Sequence, residues 1–276
     1  MGDLFVLVSR PALDETNHLF HAACAARGLA MVQVEPGAAR KTPLPRAARR
    51  LIYRAATDHA ARLVEMLLAR PGDALLHDPH FICAHPGLVL RQAGLPVART
   101  VYQPHRDTAG LAAQADWLGG FPVVVKRPGT EGGEGVARAS NTDELGQLMA
   151  EAPGGTTIEA FVAHRRCWRL TVLGGQVLAA TASVAANGDF RTNAEGSREE
   201  PDALVPDGAA QIAIDAVAAL RLGFGGVDLM ESDDGTLTIA EVNFPCFFAQ
   251  QQESTGTDIA GAIVDHLQGT PSTPRA

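Results

Sequence analysis

The chain has 276 residues, 46% of them apolar, and a formal net charge of −8. That length suits one large domain or two to three small ones sharing a core. The acidic balance gives no electrostatic reason to sit on nucleic acid or an anionic membrane, and no stretch approaches the ~20 apolar residues of a membrane span. The early run Leu4 to Val8 is too short for the apolar part of a signal peptide. Four separated cysteines, Cys24, Cys83, Cys167 and Cys246, form no C-x-x-C pair. They read as reduced thiols of a cytosolic protein and not as a zinc or disulfide framework.

In chain order, Leu4 to Val8 reads as a buried strand, and Asp14 is placed to cap a helix that Gly28 ends. Met31 to Val34 reads as a second strand, making a β-α-β opening. The basic, proline-containing stretch from Pro36 to Arg50 reads as a loop, and Leu51 to Arg54 as a short strand. Asp58 precedes Ala60, Leu63, Val64 and Leu67, the spacing of one apolar helix face. A short helix follows from Pro86 to Ala93, then a strand around Val97 to Tyr102. These first hundred residues look α/β.

The middle changes character. Pro122 to Lys126 is a β-branched strand ending in a lysine, and a glycine-rich loop covers Gly129 to Gly135. Val136 to Ala139 is a second strand, and Asn141 with Glu144 makes a capping-box start for a helix. Thr157 to Val162 is a strand, and Arg169 to Leu173 with Gln176 to Ser183 is a hairpin. A helix spans Asp207 to Leu222. Val227 to Glu231 and Thr236 to Val242 form a second hairpin, and Asp258 opens a last helix with Ile259, Ile263 and Leu267 facing inward.

Three features carry chemistry. Glu241 and Asn243 are two apart on a strand and share a face, with Asp228 almost opposite on the partner strand. Two carboxylates and an amide carbonyl suit Mg²⁺ or Mn²⁺, against the alternative of a solvated hairpin face. Lys126 stands at a strand end before the glycine loop, where ammonium and backbone N–H groups can meet phosphates. The loop lacks the Gly-Lys-[Ser/Thr] of a P-loop and does not follow the first strand, so it is neither a P-loop nor a dinucleotide fingerprint. Arg191 and Asn193 lie two apart in a polar stretch that can face a phosphoryl group and a carboxylate. Of Arg165, Arg166 and Arg169, one is expected to be functional and the others solvated.

The order of these features, closing with Thr255-Gly256-Thr257-Asp258-Ile259-Ala260, resembles the ATP-grasp ligases, and within them the RimK-like group. The resemblance runs from about Leu51 to Leu267. It implies an α/β (α+β) ATP-grasp fold: a Rossmann-like N-terminal domain over 1–84, a glycine-loop lid over 85–158, a metal-binding domain over 159–270 and a tail over 271–276. It implies an ATP- and Mg²⁺-dependent ligase (Mn²⁺ being the alternative metal) that joins an amino-acid-type carboxylate to an amine through an acyl phosphate. Lys126 is then a phosphate contact, and Gly133 and Gly135 belong to the covering loop. Glu159, Phe161 and Val162 form the adenine hinge, clasping largely through backbone. Arg169, Arg191 and Asn193 are the catalytic pocket, and Asp228, Glu241 and Asn243 hold the metal. Amino acids or peptides are the implied small-molecule substrates, with a carrier protein or peptide tail as a further acceptor; by its charge the basic loop from Arg40 to Arg50 could meet an acidic partner of that sort, against the favoured alternative of a solvated loop. Neither nucleic acid nor membrane is a partner, a homo-oligomer is compatible, and the location is cytoplasmic.

Two departures stand out. Cys167 occupies a position where the group carries Asp. Cys83-Ala84-His85-Pro86 stands where it carries a nucleotide-gripping lysine, so either His85 or Arg91 substitutes or the contact is absent. These departures motivate the alternative of a nucleotide-binding protein without ligase turnover. Phe247 and Phe248 after Asn243 suggest an apolar substrate pocket.

Overall fold

Leu4–Val8 (β1) and Arg50–Arg54 (β3) are buried at every position, the pattern of parallel strands covered on both faces. The computed structural model of the protein describes residues 2–45, 47, 49–81, 83, 85–129, 134–186, 190–191, 197–200 and 203–270. Asp14–Ala26 (α1) connects β1 to Ala30–Val34 (β2), and the parallel order is β2-β1-β3, extended by a bridge from Leu51 to Ala74. Asp14 is the first helical residue, with Leu13 at the cap position, so the expected Asp14 cap does not form.

His59–Leu68 (α2) begins at Asp58, whose carboxylate accepts from the Ala61 N–H at 3.1 Å. Its inward face is turned by one residue from the expected one. Ala61, Val64 and Glu65 are buried, while Leu63 is 43% and Leu67 78% exposed. The cause is electrostatic. Glu65 is 1% exposed because Arg54 donates to it at 2.8 Å and His77 lies 3.4 Å away. A buried carboxylate must take the position where its cation is, and the leucines turn outward.

Pro86–Gln92 (α3) packs against the later helix of residues 209–219 and contributes Leu90 to that region's core. It therefore belongs with the C-terminal sheet, although the sequence placed it in the 85–158 segment. Thr100–Val101 (β4) is much shorter than the expected strand. Thr108–Leu118 (α4) was not anticipated; Asp107 caps it by accepting from Gly110 N at 2.9 Å. Val123–Lys126 (β5), Val136–Ala139 (β6), Thr142–Ala150 (α5) and Thr157–Ala160 (β7) follow. They build a four-stranded sheet, β4-β7-β5-β6, backed by α4 and α5 through Leu111, Ala115, Leu145 and Met149. Asn141 caps the helix by accepting from Glu144 N at 2.9 Å, while the Glu144 carboxylate reaches back to Ser140 N at 2.7 Å, one residue before the cap, in a variant of the expected box.

Arg166–Leu173 (β8), Gln176–Val184 (β9), Arg198–Glu199 (β10), Ala209–Ala219 (α6), Phe224–Glu231 (β11) and Leu237–Asn243 (β12) complete a five-stranded antiparallel sheet of order β10-β9-β8-β11-β12. Trp168, Leu170, Val227 and Leu229 on its outer face bury against Ala209, Ala213 and Ala216 of α6. Ala249–Thr255 (α7), also unanticipated, lies along β9. Ile259–Gly269 (α8) returns to the N-terminal sheet, and Ile259, Ile263 and Leu267 are fully buried beside Phe5, Phe20 and Tyr53. No helix among the described residues is long and apolar enough to cross a membrane. The tail over 271–276 lies outside the described residues.

Candidate active site

Side chains alternate across a strand, so β8 sends Cys167 and Arg169 to one face and Trp168 to the other. The registers then align two rows across the sheet. One runs Thr181, Arg169, Asp228, Glu241; the other runs Glu199, Ser183, Cys167, Met230. All eight residues line one cavity of about 320 Å³. Its opposite wall comes from the four-stranded sheet and the segment leaving it, including Lys126, Glu159, Phe161 and Val162.

Charge is unevenly matched here. Arg169 donates to both carboxylate oxygens of Asp228, from Nη2 to Oδ2 at 2.7 Å and from Nε to Oδ1. Burial alone would lower the Arg169 pKa, but Asp228 outweighs it and the guanidinium is held above its ordinary value. Glu241 sits opposite Asp228 with no such partner. It opens onto the cavity and is exposed there, and its carboxyl pKa is raised, by desolvation first and by the Asp228 charge second. The neighbouring Asn243 side chain offsets part of this, as do the Lys126 and Arg169 charges at longer range. Lys126 Nζ pairs with Glu159 Oε2 at 2.7 Å and reaches the Ala240 carbonyl at 3.4 Å. Burial pushes the Cys246 thiol, behind this row, up to about 12. Gly226 makes room there, because a Cβ on it would stand 2.8 Å from Cys246 Cβ.

The row is braced from α7. Buried Gln251 donates to the Arg169 carbonyl at 3.0 Å and to Thr181 Oγ1 at 3.3 Å, and accepts from Thr171 Oγ1. At the mouth, Phe161 and Phe190 meet edge to face at 5.9 Å, and Arg138 of the lid sheet lies 5.8 Å from each ring.

Of the residues singled out in the sequence, Lys126, Glu159, Phe161, Val162, Arg169, Arg191, Asp228 and Glu241 all line this cavity. Asn243 ends β12 two residues from Glu241, opposite Gly226, and does not itself line the cavity. Gly135 accepts at its carbonyl from Arg127 N at 2.9 Å and closes the β5–β6 turn; Gly133 and Asn193 lie outside the described residues. Glu159 engages Lys126 with its carboxylate, beyond the backbone role expected of it. Neither His85 nor Arg91 lines the cavity; His85 packs on Tyr102 at 5.7 Å. Arg165 and Arg166 are not merely solvated, since both pair with Glu231 on the outer face. Of the two phenylalanines after Asn243, only Phe247 reaches the cavity, and Phe248 is buried in the core. In the basic 36–50 loop, Arg49 pairs with Asp3 at 2.9 Å and Arg50 pairs with buried Asp73, so both are used internally. Thr181, Ser183, Glu199, Gln250 and Gln251 were missed. A signal existed for two of them: Thr181 and Ser183 are hydroxyls two apart on a strand otherwise rich in Ala and Val.

Among the described residues, no three His, Cys, Asp or Glu side chains gather as a metal cluster. The donor set that does exist is two facing carboxylates and an amide, all hard oxygen donors, served by one arginine. That chemistry fits a hard divalent cation such as Mg²⁺.

A lid sheet closing with an antiparallel sheet over a cavity of this kind is the ATP-grasp fold. The structure superposes on that of the ATP-grasp ligase PsnB, complexed with a phosphomimetic variant of minimal precursor, Mg and ADP, with a TM-score of 0.71 and 18% identity over 97% of this chain and 98% of that one. Residues 87–267 match the RimK-like ATP-grasp domain, and the chain belongs to that family. A probable alpha-L-glutamate ligase of Aliivibrio fischeri is 33% identical over 66% of this chain and 60% of its own length. The ribosomal protein bS6–L-glutamate ligase of Escherichia fergusonii is 32% identical over 66% and 61%. The chain spans 45% to 61% of the length of the first curated relatives it matches.

Proposed function

We propose that this protein is an ATP-dependent carboxylate–amine ligase, forming an amide bond with release of ADP and phosphate. The observation that carries the reading is the Thr181–Arg169–Asp228–Glu241 row facing Lys126 across one cavity, with two carboxylates for one arginine. Residues 1–84 with α8 support one side, residues about 100–160 act as the lid, and α3 with residues 166–243 form the floor. Asp228, Glu241 and Asn243 would hold Mg²⁺, which would neutralise charge on the phosphates. Lys126 turns from Glu159 to the phosphates, and Phe161 and Val162 flank the adenine. A substrate carboxylate attacks the γ-phosphoryl group, giving an acyl phosphate and ADP. Arg191 stabilises charge on the transferring group, and an amine then attacks the acyl carbon and expels phosphate. Positioning and electrostatics suffice for both steps, and no nucleophilic side chain is needed. The substrates are amino acids or peptides. A protein tail is a natural extension, since one relative is named for ribosomal protein bS6 and PsnB was solved with a precursor.

Mass spectrometry of products from Mg-ATP and amino-acid pools, alongside coupled ADP release, tests the reading. A pool component that stimulates ADP release and appears in a product heavier by one condensation supports it. A nucleotide binder without turnover is favoured by one observation, the two-point Arg169–Asp228 pair, which ties up a proposed metal ligand. It predicts ADP release that no pool component stimulates.

A further inference from the structure

Two adjacent glutamates at the sheet edge differ in their surroundings. Glu200 faces outward and pairs with Arg166 at 2.9 Å. Glu199 faces the cavity, where its Oε1 accepts from Gln250 Nε2 of α7 at 3.0 Å. Among the described residues no arginine, lysine or histidine pairs with Glu199. Charged residues on short edge strands ordinarily blunt the edge against pairing. That purpose does not require a carboxylate aimed into a cavity and held by an amide from another element.

We propose that Glu199, oriented by Gln250, recognises a cationic group, guanidinium or ammonium, on an organic substrate of this enzyme. The proposal rests on the ligase reading for where the substrate lies. Asp228 and Glu199 stand on strands three positions apart, about 14 Å at the usual strand spacing. The group at Glu199 is therefore remote from the bond being formed and is not the reacting amine. Ser183, beside Glu199 in the same row, supplies a second acceptor for such a group. Arg169 and Lys126 line the same cavity, so a substrate carrying both a carboxylate and a distant cation meets groups of both charges there. The substrate class is thus an amino acid or peptide with a basic side chain, and Glu199 determines specificity without touching the reacting atoms.

The test is calorimetric titration of the full chain with L-arginine and L-lysine, each free and within a glycine-flanked tripeptide, against the matching citrulline compounds, with and without Mg-AMPPNP. The expected result is at least tenfold tighter binding of the best cationic probe than of its neutral counterpart, with the ratio falling to within twofold in Glu199→Gln. Equal binding of arginine and citrulline forms, no binding of any probe, or a ratio that survives Glu199→Gln overturns the proposal. The ligase reading fails separately, by the absence of stimulated ADP release from a protein that still shows the charge-dependent binding.

Discussion

The two faces of the five-stranded sheet carry similar residues in opposite balance. On the outer face, Glu231 accepts from Trp168 Nε1 at 2.7 Å and from Arg165, and Arg166 stands 3.7 Å away, so one carboxylate has two donors and a second cation beside it. On the cavity face, Arg169 pairs with Asp228 and leaves Glu241, opposite it, without an arginine partner. Burial of Glu231 would raise its pKa, yet Arg165 and Trp168 pull it below the ordinary value; Glu241 is raised. A compensated buried charge serves structure. On the proposed reading Glu241, exposed to the cavity and without such donors, serves a metal instead.

Substitutions at the two faces should therefore separate activity from stability. The largest effect is expected for Asp228→Ala, which should lower substrate-stimulated ADP release by about a thousandfold, comparable to removing a main electrostatic stabiliser of a transition state. Its circular dichroism should stay that of a folded protein. Retained turnover would remove Asp228 from the metal set.

Arg54→Met comes next, in the third charged cluster, which lies in the N-terminal sheet. It leaves Glu65 buried with only His77, and should cost about 3–5 kcal/mol in urea denaturation. A loss below about 1 kcal/mol would mean that Glu65 does not hold the turned face of α2 in place.

This second prediction shows where sequence and structure part. Asp228 opposite Glu241, Lys126 before the glycine loop and the Asn141–Glu144 box were legible, because strand alternation and capping act over a few residues. The face of α2 was not. Leu63 and Leu67 fit the apolar spacing as well as Ala61 and Leu68 do, and only the distant Arg54 and His77 decide between them. Helix α4 escaped for a related reason: its alanines and Gly110 leave little amphipathic contrast, and its pattern is set by packing on β5 and β7. Glu199 and Gln250 meet from separate elements, and no local spacing announces such a pair.

Asn141→Ala removes the cap of α5 and should cost about 1 kcal/mol with no change in nucleotide affinity. Smaller still is the pH effect at Asp58, whose carboxyl is held at about 2 by Arg10 and the helix N–H groups. A depressed carboxylate pKa stabilises the fold above the ordinary value and loses that contribution as pH falls through the folded one. The melting-temperature difference between the protein and Asp58→Asn should accordingly be constant near pH 7 and vanish as pH drops from about 4 to about 2.

The comparison of the faces is tested most directly by Glu241→Gln beside Glu231→Gln, measuring Mg-ATP turnover and thermal stability together. Glu241 is exposed to the cavity and packs no core, so Glu241→Gln should melt close to the unaltered protein while ADP release falls at least a hundredfold. Glu231→Gln should melt lower and keep turnover within threefold. Equal loss of turnover in both variants, or a Glu241→Gln protein that melts lower yet turns over normally, would contradict the assignment of the cavity face to metal and ATP.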